Sequence, residues 1–347
     1  MAREYNKDIN VDVYGMEKYP VAYVAENYTA EYDATSVRVF IIDIENKMHD
    51  DNGNHLGKAD PYNARGELTA ITIHDSFTDK YYVFGNKVEW TNTSQYKADV
   101  EYESIYCDDE KDLAIKVLQF WRMNYPDIIT GWNTDGYDIP YIINRFKKLL
   151  GENLTKKLSP WGSIREREHH DDYGNDIIEY TIVGIASLDG MAVYKKNTFS
   201  GRESYSLDYI ATHETGEGKL DYRDLGFTDL DDLWERDPQL YITYNVIDVK
   251  KVRDIDLKNK FIDITISVAY YAGVNFDDVF SGMRVWDAVI HRYLIDQKIV
   301  VSPNKSAEKE ELPGAYVKNT TPGLYKNLMS YDLNSLYPSI IRTLNIG

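Results

Sequence analysis

The sequence predicts an α/β protein with a mixed sheet, and three observations support that prediction. Short runs of β-branched and aromatic residues are typical of strands. Longer segments repeat apolar residues every three or four positions, as a helix with one buried face does. The two kinds of segment alternate along the chain, and no internal repeat interrupts them. With 347 residues, 43% of them hydrophobic, the chain is long enough for two or more domains with a large core.

The strands are predicted where Val, Ile and aromatic residues cluster between turn residues. The pattern places them at residues 20–24, 37–45, 68–74, 80–84 and 177–183. Residues 75–79 are predicted to form a turn between two of these strands, and the polar, glycine-containing residues 46–66 a loop. Tyr-Gly-Asn-Asp at residues 173–176 predicts a hairpin turn before the last strand.

Helical spacing predicts four helices, at residues 108–123, 140–150, 238–260 and 263–272. For the second helix, Asp138 occupies the N-cap position, Pro140 falls in the first turn and Gly151 ends it. The longest apolar stretch, 261–274, is interrupted by Asp263 and is too short to span a bilayer, so we expect a core helix there. A strand, a turn and the start of a helix are predicted over residues 327–341.

Net charge and cysteine content argue against several classes of protein. A net charge of −18 is unfavourable for a protein that coats duplex nucleic acid non-specifically, although a local basic patch still permits DNA binding. Cys107 is the single cysteine, which excludes an intramolecular disulfide or a cysteine zinc cluster and fits a reducing cytoplasm. The polar, charged first ten residues predict no signal peptide, and we expect no membrane association.

A basic stretch at residues 145–168 has two interpretations. Its side chains either form a solvated helix face or bind a DNA backbone beside a carboxylate site. The cations of this stretch are Arg145, Lys147, Lys148, Lys156, Lys157, Arg165 and Arg167. The acidic residues 229–237 are interpreted as a solvated loop.

Two acids, Asp43 and Glu45, end an apolar run. Strand alternation places both side chains on one face, so both can bind one cation. An Asp-x-Glu pair alone is weak evidence in a chain with 57 acidic residues. Its position after residues 37–42 is more informative, because a buried strand normally carries apolar residues there.

Two further motifs place acids beside tyrosines. Asn133 precedes Tyr137 and Asp138, and one interpretation of Asp138 is a helix cap that contributes about 1 kcal/mol. Tyr244 and Asp248 are four residues apart and therefore lie on one face of the helix predicted at 238–260. The alternative for Asp248 is an ordinary surface aspartate.

Taken together, Asp43-x-Glu45, Asn133-x(3)-Tyr137-Asp138 and Tyr244-x(3)-Asp248 resemble the three exonuclease motifs of the proofreading DnaQ-like family. Their order and spacing are similar to those in the family B DNA polymerases of T-even-like bacteriophages. The resemblance covers nearly the whole chain, with further matches at residues 160–162, 206–209, 213–214 and 218–220. It implies a ribonuclease H-like 3′→5′ exonuclease domain with a mixed sheet, acting in the cytoplasm of a bacterial host.

The resemblance implies two bound metal ions in the exonuclease site. Asp43, Glu45 and Asp248 would bind the ion that activates water, and Asp43 and Asp138 the ion that stabilises the leaving 3′ oxygen. Clustered carboxylates are tolerable only with protons or divalent cations. Oxygen ligands suit Mg²⁺ or Mn²⁺ and not zinc.

The resemblance also assigns residues that contact water or DNA. Tyr244 would orient the attacking water, with assistance from Lys219, and Asn133 would contact the frayed primer strand. The hairpin that carries Tyr173 and Gly174 would help to part primer from template. Where relatives carry an aromatic residue that stacks on the terminal base, this sequence reads Lys58-Ala59-Asp60-Pro61, with Tyr62 as the candidate substitute.

Residues 332–341 resemble motif A of family B polymerases, a segment of the palm domain. The resemblance implies that Asp332 and the Leu333 carbonyl bind metal with the triphosphate. Ser335, Leu336 and Tyr337 would bind the nucleotide, and Tyr337 would exclude a 2′ hydroxyl. The later Asp-Thr-Asp strand and the lysine-bearing fingers motif do not occur in the sequence. We therefore expect a second polypeptide with the remaining palm, fingers and thumb, or else a truncated chain.

The resemblance implies four regions: a partial N-terminal domain (1–37), the exonuclease domain (38–260), a returning segment of the N-terminal domain (261–303) and the start of the palm (304–347). The leading prediction is a two-metal proofreading exonuclease that contributes motif A to a DNA polymerase. One alternative is a non-catalytic nucleic-acid-binding or assembly subunit of a replication polymerase. Another is a free-standing exonuclease with an inert carboxyl-terminal segment.

Overall fold

The computed structural model describes residues 19–28, 32–49, 54–57, 60–87, 90, 98–170, 176–218, 220–300 and 314–346. The chain divides into two compact units, Met1–Pro303 and Asn304–Gly347, and each is described by itself.

A mixed sheet organises the first unit, as the sequence predicts. Within the described residues it has six strands in the order β4-β3-β2-β1-β5-β8. Strand β1 pairs antiparallel with β2 and parallel with β5, so it lies at the centre. The strands are β1 (Val39–Asn46), β2 (Leu68–Asp75), β3 (Lys80–Gly85), β4 (Tyr102–Tyr106), β5 (Ile128–Thr130) and β8 (Ala186–Ser187).

Helices cover both faces of this sheet. On one face, α2 (Glu110–Met123) and α3 (Asp138–Leu150) pack over Phe40, Ile42 and Ile44 of β1. On the other face, α6 (Leu207–Thr215), α7 (Leu230–Arg236) and α8 (Pro238–Asn259) pack in a core that includes Ile41. The α/β layers with a mixed sheet are therefore confirmed.

Capping explains where several of these helices begin and end. The Asp109 side chain accepts a hydrogen bond from the Asp112 backbone at the start of α2, and Asp237 accepts one from Leu240 at the start of α8. Helix α3 ends at Gly151, whose φ of 81° suits glycine. The remaining elements of this unit are α1 (Tyr19–Asn27), α4 (Glu152–Thr155), α5 (Gly190–Asn197), α9 (Phe261–Ala272) and α10 (Gly282–Asp296).

A separate two-stranded sheet joins β6 (Ile164–His170) and β7 (Asp176–Ile182) in antiparallel pairing. The turn predicted between them, residues 173–176, lies outside the described residues except for the first residue of β7. The strand predicted at 177–183 is confirmed as β7.

Two segments of the first unit have a different secondary structure from the predicted one. The strand predicted at 20–24 is the helix α1, because its apolar residues recur at helical spacing: Val21, Val24, Ala25 and Tyr28 line one cavity against α9 and α10. The acidic stretch 229–237 is no solvated loop. Asp229 caps α7, and Leu233 and Trp234 of that helix are buried.

The second unit contains α11 (Leu336–Leu344), which confirms the predicted helix start. The predicted strand at its beginning is not formed by described residues 327–331. A strand requires a hydrogen-bonded neighbour, and none of the described residues pairs with this segment. In the part of the chain that the structure describes, no helix is both long and apolar enough to cross a membrane.

Candidate active site

The alternation of side chains along β1 positions two acids against α8. Phe40, Ile42 and Ile44 point into the core beneath α2 and α3. Ile41, Asp43 and Glu45 must then face the opposite side of the sheet. Ile41 packs there in the core shared with α8, and the Asp43 carboxylate accepts a hydrogen bond from Asn245 of that helix.

Asp43, Glu45 and Asp248 form one carboxylate cluster. One oxygen of each lies within 4.8 Å of the others. Asp248 is 2% exposed and Glu45 8% exposed, so Asp248 is not the surface aspartate that the alternative interpretation requires. The structure thus brings together acids from a strand and a helix that are about 200 residues apart in sequence.

Asp138 contacts the same strand but lies outside that group of three. It is the first residue of α3 and not its N-cap, which is Tyr137; the helix start has no side-chain capping bond. Its carboxylate instead accepts a hydrogen bond of 3.2 Å from the Ile44 backbone. Burial raises the pKa of Asp138 well above its ordinary value, and the charge of Asp43 raises it further.

Tyr244 lies one helical turn before Asp248 and faces the same acids. Burial raises its pKa, and so do the negative charges of Asp248, Glu45 and Asp43. The phenol therefore stays protonated at physiological pH and can donate a hydrogen bond. Its ring also meets Tyr222 edge-on, with 5.8 Å between the ring centroids.

The donor set of the cluster fits a hard divalent cation. Two carboxylates 4.8 Å apart repel each other by about 3 kcal/mol at an effective dielectric of 20, and a cation removes that repulsion. All ligand atoms are oxygens, the set that Mg²⁺ and Mn²⁺ prefer.

The residues predicted to contact DNA are only partly described. Asn133 is exposed and has a φ of 65°, and its backbone carbonyl accepts hydrogen bonds from Gly136 and Tyr137. Tyr62 is half-buried, and its hydroxyl accepts a 3.4 Å hydrogen bond from the backbone of Ile178 in β7. Lys219, Tyr173, Gly174, Lys58 and Ala59 lie outside the described residues.

The basic stretch divides into paired and exposed cations. Arg145 makes two hydrogen bonds of 2.6 Å to Glu110, a buried acid. Lys147 pairs with Glu166, and Lys156 pairs with Glu152. Arg165 and Arg167 are exposed on β6 and form no ion pair with the residues that the structure describes.

Two polar groups near the acids were not predicted from the sequence. Asn245 and Thr72 are completely buried beside Asp43. Asp231 accepts hydrogen bonds from the backbones of Met48 and His49, and so fixes the segment after β1 to α7. A signal existed for the first pair, because both are polar residues in segments whose neighbours are apolar.

Within the second unit, the residues of the predicted nucleotide site are all exposed. Asp332 and Leu333 precede α11, and Ser335 has a φ of 53° directly before it. Leu336 and Tyr337 form its first turn. Their predicted contacts with metal and nucleotide stay predictions.

Known proteins similar to this chain support one family. The sequence model of "DNA polymerase family B, exonuclease domain" matches residues 6–210. The DNA-directed DNA polymerase of Escherichia phage RB69 is 38% identical over 98% of this chain and 39% of its own length. That of Enterobacteria phage T4 is 37% identical over 100% of this chain and 40% of its own. DNA polymerase II of Escherichia coli K12 is 29% identical over 70% of this chain.

The chain spans about two fifths of the length of the two phage polymerases. The matched region contains β1 to β8, which include the strand that bears Asp43 and Glu45. The mixed sheet with its flanking helices is the ribonuclease H-like fold of that exonuclease domain. The chain therefore belongs to DNA polymerase family B and includes its exonuclease domain.

Proposed function

We propose that this chain is a metal-dependent 3′→5′ exonuclease that removes nucleotides from single-stranded or frayed DNA 3′ ends. The observation that carries the proposal is the meeting of Asp43, Glu45 and Asp248 within 4.8 Å. Buried Asp138, tied to the same strand, supports it. Membership of family B supports a proofreading role during DNA synthesis.

Each residue has a proposed task in the hydrolysis. Asp43, Glu45 and Asp248 would hold one Mg²⁺ or Mn²⁺ ion, and Asp43 with Asp138 a second. Bound there, the two ions would acidify water and neutralise the negative charge that develops at the scissile phosphate. The protonated Tyr244 would donate its hydroxyl hydrogen to orient the attacking water. Lys219 would assist, while Asn133, Tyr173 and Gly174 would contact the DNA.

The second unit would supply motif A of a polymerase site through Asp332, Leu333, Ser335, Leu336 and Tyr337. We expect this chain to degrade single-stranded DNA. A second polypeptide that completes the polymerase site is also expected from the sequence. The phage relatives are single polymerase chains and give that part of the prediction no support.

The double variant Asp43→Ala with Glu45→Ala tests the proposed site. Digestion of a 5′-labelled oligonucleotide with Mg²⁺ or Mn²⁺ should fall by about a thousandfold or more, since several kcal/mol of charge stabilisation are lost. The exposed Asp108→Ala serves as the control and should digest at the wild-type rate. Unchanged digestion by the double variant would show that the site is elsewhere.

The alternative is a non-catalytic nucleic-acid-binding subunit that keeps the exonuclease fold as a scaffold. The retention of Asp43, Glu45, Asp138 and Asp248 speaks against it. Wild-type protein that binds single-stranded DNA but digests none with either metal would favour this alternative.

A further inference from the structure

Two buried polar side chains and the half-buried Asp43, from three elements, form a series of hydrogen bonds that ends on the Asp43 carboxylate. The Asn245 side-chain amide donates to one Asp43 carboxylate oxygen at 2.6 Å. The Asn245 carbonyl oxygen in turn accepts a hydrogen bond from the Thr72 hydroxyl. Asn245 and Thr72 are both 0% exposed. Asn245 belongs to α8, and Thr72 of β2 is the direct cross-strand partner of Asp43.

The chemistry of these groups fixes the direction of each hydrogen bond. An ionised carboxylate has no hydrogen to donate, so the Asn245 amide nitrogen must face Asp43. The Asn245 oxygen then faces Thr72, whose hydroxyl is the only group of the pair that can donate. A turned amide would present its oxygen to the carboxylate, which has no hydrogen to donate. The Thr72 hydroxyl gives the amide oxygen its hydrogen-bond donor in the observed orientation.

Stability alone gives little reason for this arrangement. Asn245 sits between buried apolar residues of α8, Ile242, Val246 and Val249. Replacement of both partners of a buried hydrogen bond by apolar groups of the same shape is often nearly neutral. The hydrogen bonds from Thr72 through Asn245 fix one orientation of the Asp43 carboxylate, and Asp43 is the acid proposed to contact both ions.

We propose that Asn245, held in place by Thr72, is a positioning residue that orients Asp43 for divalent-cation binding. The inference rests on the proposed function and deepens it. Partners of metal-binding carboxylates typically contribute about 10–100-fold to metal affinity. That range is the effect expected for Asn245.

The test measures Mn²⁺ binding to the full chain by titration calorimetry without DNA. Asn245→Leu should weaken Mn²⁺ binding by about 10–100-fold. Thr72→Val should weaken it less, because the amide is kept but its buried oxygen loses its hydrogen-bond donor. Thr72→Ser returns the hydroxyl and should rescue the affinity. Thermal unfolding in EDTA separates this effect from a loss of stability.

The outcomes distinguish the inference from the proposed function. If wild-type protein and Asp43→Ala bind Mn²⁺ alike, the proposed metal site fails. If wild-type protein binds Mn²⁺ and Asn245→Leu binds it equally well, the positioning role is overturned. A lower unfolding temperature with unchanged Mn²⁺ affinity also overturns it. Should Asn245→Leu not fold, equal affinities of Thr72→Val and Thr72→Ser would overturn it instead.

Discussion

At Asp138 a buried carboxylate accepts a backbone hydrogen bond from Ile44. Burial and the neighbouring Asp43 both disfavour its charged form, which raises its pKa. A carboxylic acid whose folded-state pKa is raised destabilises the fold at neutral pH, where the unfolded chain would be ionised at no cost. This loss of stability has a functional reason if the charged carboxylate binds a cation.

Asp138→Asn should therefore separate stability from activity. The amide has nearly the same shape but carries no charge. We expect a higher thermal unfolding temperature in EDTA at pH 8, together with about a hundredfold or greater loss of exonuclease rate. A lower unfolding temperature in EDTA would show that the buried charge is not a burden to the apo protein.

His74 should impose a pH dependence on stability. It is 4% exposed, and its burial lowers its pKa more than the hydrogen bond with Asp79 raises it. Because the folded-state pKa lies below the unfolded value of 6.5, the unfolded chain binds the proton more readily. The contribution of His74 to the free energy of unfolding is therefore fully present above pH 6.5. It is lost as the pH falls towards the folded-state pKa.

The variant His74→Gln keeps a hydrogen-bond donor for Asp79 but does not titrate. Urea unfolding between pH 7 and pH 5 should show a shallower loss of unfolding free energy for the variant than for wild-type protein. One proton accounts for at most about 1.4 kcal/mol per pH unit. Parallel curves for the two proteins would contradict the role assigned to His74.

At the scale of elements, the hairpin of β6 and β7 is the best-supported place for DNA contacts in the basic stretch. Arg165 and Arg167 are both exposed and lie two residues apart on β6, hence on the same face. Arg145, by contrast, belongs to the core through Glu110. Arg145 therefore fits neither interpretation of the stretch, and DNA binding by Arg165 and Arg167 stays a prediction.

The double variant Arg165→Ala with Arg167→Ala should bind single-stranded DNA more weakly in EDTA. The slope of log K against log salt concentration should become shallower by about 0.7 for each phosphate contact that is lost. The matched control is Lys156→Ala, since Lys156 already pairs with Glu152 at 2.7 Å. Fluorescence anisotropy at several salt concentrations measures both quantities. An equal loss in the control would indicate only a general charge effect.

Several long elements could be predicted from the sequence, although α10 was not, and very short elements could not be predicted. Helix α8 was predicted at 238–260 and β2 at 68–74, each within a residue of its observed bounds. Strand β5 has three residues, too few to show a period, and it was missed. Residues 20–24 fit both a strand and a helix, and only packing against α9 and α10 selects the helix.

The residues of the candidate site also divide into those that the sequence could predict and those that it could not. The clustered acids could be predicted because their motifs match a known family. Asn245 and Thr72 stand out in the sequence only as polar residues between apolar neighbours, and no local pattern encodes the contact between α8 and β2 on which their role depends. The predicted capping role of Asp138 was wrong because the carboxylate reaches across to β1.

At the scale of the whole molecule, the chain consists of two units of very different size. The second unit buries none of its described side chains, which lie within residues 314–346. The three acids of the carboxylate cluster all belong to the first unit. The division into four regions, with boundaries at 37, 260 and 303, stays a prediction.

Removal of residues 304–347 should leave the exonuclease rate and the unfolding temperature unchanged, because no described buried side chain is lost. Steady-state digestion and calorimetry of the shortened chain test this. A large drop in either quantity would mean that the first unit depends on the second.

The opposite orientations of neighbouring side chains along β1 restrict how this gene can change in length. Deleting or inserting one codon between positions 39 and 42 would turn both acids into the hydrophobic layer under α2 and α3 and leave isoleucines facing α8. The described residues between Asn46 and Leu68 form no named strand or helix, so no two-residue alternation of side chains has to be preserved there. Length variants that keep nuclease activity should therefore be recovered there and not within the strand.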